Sequence, residues 1–256
     1  MCLGRTHAVG GVTLGLTAAD LVGNVSLVQA LAGAAVAAGA ALLNDLDTPS
    51  STVSHALGRS TQRLASGVQR LSRVVFELTA TPADHRYASP THRALTHTLL
   101  FAVALGVGTW ATARWVPLGA GLVALVVAVP ALRLVDRRLR GVSLLLTALG
   151  VAALVTAAAP SAVTVGVAVG AGALSHDLLD GCTTMGVPLL WPLKLRGMRW
   201  RRLGLPRFLR FHTGGPVEPW VLWLLVVITV GLTPPVLSWL EVAVTQLINL
   251  AVYIWG

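Results

Sequence analysis

The sequence has few charged residues and only two cysteines. Asp, Glu, Lys and Arg make up 11% of its 256 residues, whereas a soluble domain carries about a quarter. Together with the hydrophobic content of 55%, this shortage excludes an ordinary soluble domain and predicts a polytopic membrane protein. Cys2 and Cys182 are too few and too far apart to form a disulfide framework. We expect a single membrane domain over residues 1–256.

Apolar segments of spanning or near-spanning length predict an all-α transmembrane bundle of about eight helices. These segments lie at 7–23, 27–43, 97–113, 117–133, 142–158, 161–180, 219–234 and 236–255. Glycines and Asp20 interrupt the first segment, so it forms a full span or a short or re-entrant helix.

Basic residues are concentrated between the predicted spans. With the N-terminus inside, 18 of the 19 Lys and Arg residues fall on the cytoplasmic side, and only Arg114 falls outside. This positive-inside pattern predicts a multi-pass protein of the cytoplasmic (inner) membrane. Its predicted cytoplasmic segments are 44–96, which contains the loop 48–88, then 134–141 and 181–218. The net charge of +9 therefore reflects topology, and we expect no nucleic-acid partner.

Residues 53–79 of the first cytoplasmic segment have the pattern of a basic amphipathic helix. Leucines and valines recur at helical spacing, and arginines stand at positions 59, 63, 70 and 73. Such a helix binds an anionic membrane surface, or it covers the cytoplasmic ends of the spans. The pattern leaves both interpretations open.

His and carboxylate residues collect on the predicted cytoplasmic face. They are His7, Asp45, Asp47, His92, His97, His176, Asp177, Asp180, His212 and Glu218. His176 and Asp180 are four residues apart, so both side chains leave the same face of a helix. Imidazole and carboxylate together suit Zn²⁺, Mn²⁺ or Fe. Each residue also has a local explanation, such as a helix-end cap or a helix-start charge for Glu218.

These motifs, taken in order, resemble the membrane-bound metal-dependent hydrolases of the YdjM type. The resemblance rests on His7, Leu43-Asn44-Asp45-Leu46-Asp47, His92-Arg93-Ala94-Leu95-Thr96-His97-Thr98, His176-x-x-x-Asp180-x-x-Thr183-x-x-Gly186 and Leu190-Trp191-Pro192. Asn44 stands where the family typically has proline, and Ala94 and Thr98 replace small residues of its His-Arg motif. The His-x-x-x-Asp element is also similar to a metal-binding element of zinc-dependent phospholipases C, which implies phosphoester chemistry.

The resemblance implies a metal-dependent hydrolase at the cytoplasmic membrane face, acting on a phosphoester or lipid-linked substrate. The expected metal ligands are His7, Asp45, Asp47, His97, His176 and Asp180. His92 and Asp177 would serve as general base or orienting group, and Arg93, Thr96 and Thr183 would bind substrate, with Glu218 as an additional site residue. Zinc is the preferred ion, with manganese or iron as alternatives.

Two other functions fit parts of this pattern. A non-catalytic scaffold could use the same ligands, because closed and open metal sites share residue types. An ion or metal transporter would need polar groups near the middle of the bilayer, where these spans are almost purely Ala, Val, Leu and Gly.

Overall fold

The computed structural model of this protein describes residues 3–23, 25–88, 92–233 and 245. Within these ranges the chain is helical, and isolated bridges such as Val187 with Leu203 are its only β-type pairings. The helices are α1 (Gly4–Val22), α2 (Leu27–Ala40), α3 (Arg59–Thr79), α4 (Pro82–Tyr87), α5 (Leu99–Trp115), α6 (Gly119–Val135), α7 (Gly141–Ala157), α8 (Ala162–Gly181) and α9 (Glu218–Gly231). Short 3₁₀ helices lie at Leu43–Asp47, Val53–His55, Leu95–His97 and Arg207–Leu209. The predicted all-α class is confirmed.

Hydroxyl side chains begin three of the apolar helices. Ser26 caps α2 in a capping box with Gln29, Thr98 accepts the Phe101 N–H at the start of α5, and Ser161 accepts the Thr164 N–H at the start of α8. Such caps satisfy backbone N–H groups that have no partner inside the helix. The two caps before α5 and α8 set where the helices that carry the site begin.

Two segments are long and apolar enough to cross a bilayer within the described residues. They are Leu27–Asp47 and Ala162–Gly181, with 21 and 20 residues. Four apolar helices are shorter: Leu99–Trp115, Gly119–Val135, Gly141–Ala157 and Glu218–Gly231. A helix of 17 residues rises about 25 Å, less than the roughly 30 Å of hydrocarbon. Eight full spans are therefore not confirmed, and the predicted eighth span, 236–255, lies almost wholly outside the described residues.

Small residues let α1, α2 and α8 pack closely. A β-carbon at Gly11 of α1 or at Gly172 of α8 would collide with the carbonyl oxygen of Ala37 in α2. Small residues allow helix backbones to approach closely in apolar bundles. The close approach brings the end of α2, the start of α1 and the end of α8 to the same place.

Helix α3 lies across that end of the bundle. The predicted amphipathic helix begins later than expected, at Arg59, because Gly58 adopts a positive φ of 62° directly before it. Its inward face buries Ala65, Ser72 and Phe76. Gln69 Nε2 on the same side donates to the backbone carbonyl of Asp47 at 2.6 Å.

Candidate metal centre

The end of α8 provides His176 and Asp180, one helical turn apart and both fully buried. His176 Nδ1 lies 2.7 Å from the carbonyl oxygen of Ala41. Because a carbonyl oxygen only accepts, Nδ1 carries a proton, and in the neutral ring Nε2 holds the lone pair. That Nε2 lies 3.7 Å from Asp180 Oδ2. Metal-binding histidines are commonly oriented by such a hydrogen bond from the other ring nitrogen.

The 3₁₀ helix after α2 provides Asp45 and Asp47. Asp45 Oδ1 lies 3.5 Å from His176 Nε2. Asp47 Oδ2 accepts hydrogen bonds from the Thr96 hydroxyl at 3.0 Å and from the Arg93 backbone N–H at 3.1 Å. These contacts fix the orientation of the buried Asp47 carboxylate.

The segment before α5 provides His97. The Thr96 hydroxyl gives its one hydrogen to Asp47, so it accepts from His97 Nδ1, 3.0 Å away. In the neutral ring, His97 Nε2 is therefore the atom with the lone pair, and it lies 3.5 Å from Asp180 Oδ2. A hydrogen bond at Nδ1 thus orients His97 as it does His176, with Nε2 towards Asp180.

His7, near the start of α1, completes the cluster. Its ring stacks on that of His176 with centroids 3.6 Å apart and planes 10° from parallel. Its Nε2 lies 3.5 Å from Asp180 Oδ1. Asp180 therefore contacts three histidines that come from α1, α8 and the segment before α5.

All six predicted metal ligands belong to this cluster. They form three overlapping groups, His7 with Asp45 and His176, His97 with His176 and Asp180, and Asp45 with Asp47 and His97. Within each group the ligand atoms lie within 4.8 Å of one another. These buried His and Asp groups could hold a metal ion.

The hydrogen bonding of the cluster fits such an ion. Among the described residues, both ring nitrogens of His7, Nε2 of His97 and His176, and Oδ1 of Asp45 have no hydrogen-bond partner. Buried polar atoms are normally satisfied, and a divalent ion would satisfy several of these at once. The mixed nitrogen and oxygen donors suit Zn²⁺, Mn²⁺ or Fe rather than Mg²⁺ or Ca²⁺.

His92 and Asp177 lie beside the cluster on different sides. His92 Nδ1 is 2.9 Å from the Thr48 hydroxyl and 3.3 Å from Asp47 Oδ1, and its side chain is 29% exposed. Asp177 is fully buried, and its Oδ1 accepts from Asn44 Nδ2 at 2.8 Å. His92 can therefore exchange protons with solvent, whereas Asp177 is closed off from it. The sequence marks Asn44 only as a departure from the family pattern, because its partner Asp177 lies in another helix.

Arg93 is buried against Asp180, with Nε 2.9 Å from Oδ2. Its Nη1 donates to the Thr183 hydroxyl at 2.9 Å and to the Gly186 carbonyl at 3.3 Å. The Thr183 hydroxyl donates in turn to the Asp180 carbonyl. Arg93 and Thr183 thus hold the end of α8, and their substrate-binding role, like that of Thr96, stays a prediction.

Glu218 lies outside the three groups. Its buried carboxylate accepts from the Thr6 hydroxyl at 2.9 Å and from the backbone N–H groups of Leu3 and Gly214. These bonds join the start of α1 to the start of α9. They explain its burial without a metal, and its place among the site residues stays a prediction.

Cys182 and Arg202, two neighbouring residues outside the helices, have shifted pKa values. Burial raises the pKa of the Cys182 thiol, and the Asp180 carboxylate raises it further, so Cys182 remains a neutral thiol. Burial lowers the pKa of Arg202, and the Arg93 guanidinium lowers it further. Arg202 Nη2 donates to the His92 carbonyl at 3.4 Å, a contact that no motif in the sequence predicts.

Comparison with known proteins gives a family and no closer relative. No curated protein and no solved structure matches the chain. The sequence model of the YdjM inner membrane protein family matches residues 1–240, which include every residue of the cluster. This chain therefore belongs to the YdjM inner membrane protein family, as the order of its His and Asp motifs indicated.

Proposed function

We propose that this protein is a metal-dependent hydrolase whose His/Asp centre lies at the cytoplasmic face of the inner membrane. The observation that carries the proposal is the convergence of buried, otherwise unsatisfied ligand atoms from separate segments of the chain. In the proposed orientation the N-terminus is cytoplasmic and the chain crosses the membrane several times. The basic helix α3 lies at the same end of the bundle as the cluster, which supports that orientation.

The proposed reaction is hydrolysis of a phosphoester or a lipid-linked ester. A bound ion, with zinc preferred, would act as a Lewis acid and lower the pKa of water. His92 is the proposed general base, because its Nδ1 is positioned by Asp47 and its side chain reaches solvent. It takes a proton from the attacking water as the new bond to phosphorus forms and the bond to the leaving oxygen breaks, and the leaving oxygen takes up a proton from solvent. Asp177, held by Asn44, is the proposed orienting group.

Arg93 is proposed to balance the negative charge of the substrate. Its Nη2 has no hydrogen-bond partner among the described residues, although Nε and Nη1 are occupied by Asp180 and Thr183. Guanidinium groups suit phosphate because several N–H donors lie in one plane. Thr96 and Thr183 act with it by holding Asp47 and Arg93 in place.

The test combines metal content with hydrolysis. Purified protein should hold tightly bound metal by mass spectrometry, and His176→Ala and Asp180→Ala should lose most of it. His55→Ala changes an exposed histidine outside the cluster and should keep the metal. A panel of phosphoesters and phospholipids should then show hydrolysis by wild-type protein that both cluster variants lack. Absence of bound metal in the wild type would rule out the proposal.

The non-catalytic scaffold remains a second candidate because of one observation. Five of the six proposed ligand side chains are fully buried, and only Asp45 reaches the surface, with 10% of its side chain exposed. Closed sites are typical of structural metals. A water ligand on bound Co²⁺ that exchanges with solvent would favour catalysis, whereas saturation by protein ligands would favour the scaffold.

A further inference from the structure

A cavity of 270 Å³ opens beside Asp45 at the end of the bundle that carries the cluster. Leu3, Leu42 and Leu134 form an apolar part of its lining. The hydroxyl-bearing residues Thr48, Ser51 and Thr52 form a polar part. We call it the Asp45 cavity.

The Asp45 cavity leads from the surface to one of the proposed metal ligands. Asp45 lines it and is the one proposed ligand with an exposed side chain, at 10%, while the other five are at 0%. Asp45 Oδ1 is itself 3.5 Å from His176 Nε2. A group that reaches the inner end of this cavity therefore meets the Asp45 carboxylate, whose buried Oδ1 faces His176.

The apolar residues of the cavity lining match the alkyl chain of an amphiphile, and the hydroxyl-bearing residues match its polar head. Leu42 follows α2 and is buried, Leu134 lies in the last turn of α6, and Leu3 is 40% exposed at the rim. The apolar part of the lining thus continues outwards to the surface. Ligand pockets usually combine an apolar lining with a few convergent polar groups. No Lys or Arg lines the described walls of the cavity, so a charged head would depend on the metal centre for its neutralisation.

We propose that the Asp45 cavity binds a single-chain amphiphile with its phosphate head towards Asp45 and its alkyl chain along the three leucines. The proposal rests on the metal centre of the proposed function and names the substrate class of that site as a lipid-like phosphoester. A fully water-soluble phosphoester would leave the leucines without contact. Each methylene that the leucines bury should tighten binding about fourfold.

The test measures binding, so it does not depend on turnover. Full-length, zinc-loaded protein in zwitterionic nanodiscs is titrated calorimetrically with inorganic phosphate and with ethyl, butyl and hexyl phosphate. For wild-type protein we expect hexyl phosphate to bind at least about tenfold more tightly than ethyl phosphate, since two buried methylenes already give about sixteenfold.

Leu134→Ser and the rim variant Leu3→Ser should reduce this chain-length ratio at least threefold while leaving zinc content and inorganic phosphate binding unchanged. The matched control is Leu122→Ser, a half-exposed leucine near the opposite end of α6. Because all variants share one lipid, partitioning into the nanodisc cancels between them. Leu3→Ser keeps the test valid if Leu134→Ser does not fold.

The outcomes distinguish the amphiphile proposal from the hydrolase proposal. A ratio near one in the wild type, or a ratio that none of the leucine variants changes, overturns the amphiphile proposal. Hydrolysis of short and long phosphoesters at equal rates does the same and leaves the hydrolase intact. Chain-length-dependent binding without any turnover supports the cavity and counts against the hydrolase.

Discussion

His7 and His176 stack with ring centroids 3.6 Å apart and planes 10° from parallel, although they lie far apart in the sequence. Two parallel imidazolium rings at this distance would repel each other strongly, so at least one ring of the pair is in the neutral form that ligates metals. Both Nε2 atoms lie close to Asp180, at 3.5 and 3.7 Å. The stacked pair therefore makes the metal centre dependent on the packing of α1 against α8.

Removal of the metal should destabilise the folded protein. An ion that binds only the folded state stabilises it by about 2.7 kcal/mol at a hundredfold excess over Kd. We expect Tm to fall after treatment with a chelator and to recover when zinc is added. In His7→Ala the difference between the two Tm values should shrink. A Tm that is the same with and without chelator would contradict the prediction.

Thr96→Val should weaken zinc binding about 10- to 100-fold, the usual effect of losing a hydrogen bond that orients a ligand. The hydroxyl holds both Asp47 and His97, and valine preserves its shape. Equilibrium dialysis against buffered zinc measures the affinity. Thr147→Val, which changes an exposed threonine of α7, is the control and should bind zinc as the wild type does.

Arg93→Ala should be severely destabilising, by about 3–5 kcal/mol, because it removes the cation of a buried ion pair with Asp180. Arg93→Lys should recover only part of the loss, since an ammonium group cannot contact Asp180, Thr183 and Gly186 with the same planar geometry. Denaturation in detergent with increasing sodium dodecyl sulfate gives the order of stability. Equal stability of the lysine variant and the wild type would show that the planar contacts are unimportant.

Asp84→Asn should lower the free energy of unfolding of the segment around Trp200 by about 1–3 kcal/mol. Burial alone would raise the pKa of the Asp84 carboxyl, but N–H donors from Thr81, Arg199 and Trp200 together with the Thr81 hydroxyl hold it below its usual value. A lowered folded-state pKa stabilises the protein above the unfolded pKa of about 3.9, and this stability is lost as pH falls through the folded value.

The wild-type protein should therefore lose tryptophan-reported stability on acidification, and Asp84→Asn should lose less over the same pH range. Intrinsic fluorescence of the stacked Trp191 and Trp200 pair follows the transition. Glu77→Gln, at a carboxylate that is half exposed, should keep the wild-type pH dependence.

Helix α3 should lie in the membrane surface with one exposed leucine stripe in contact with lipid. Leu64, Leu71 and Leu78 are 57%, 54% and 79% exposed and follow each other every seven residues, beside the arginines that would meet anionic headgroups. With Cys2 and Cys182 replaced by serine, a spin label at position 71 should be more accessible to oxygen than one at Ser66. Equal accessibility would instead favour a helix that only covers the bundle end.

The buried and exposed faces of α3 can be compared with the two interpretations that the sequence left open. The periodic leucines and arginines predicted an amphipathic helix, and the structure has one. It buries Ala65, Ser72 and Phe76 against the bundle and leaves the leucine stripe open. The covering role applies to one face, and the membrane role is proposed for the other. Sequence alone could not separate them, because both faces contain apolar residues at helical spacing.

The sequence by itself determined the helical class, the order of the His and Asp motifs, and the residue types of the cluster. Those features depend on local spacing and composition, so they can be read without knowledge of the tertiary contacts. Tertiary structure decided which atoms meet. The hydrogen bond to the Ala41 carbonyl leaves Nε2 of His176 facing Asp180, Arg93 pairs with Asp180, and Asp45 lines a cavity. Each depends on contacts between segments far apart in the chain, set by the close approach of α1, α2 and α8, and no local pattern encodes them.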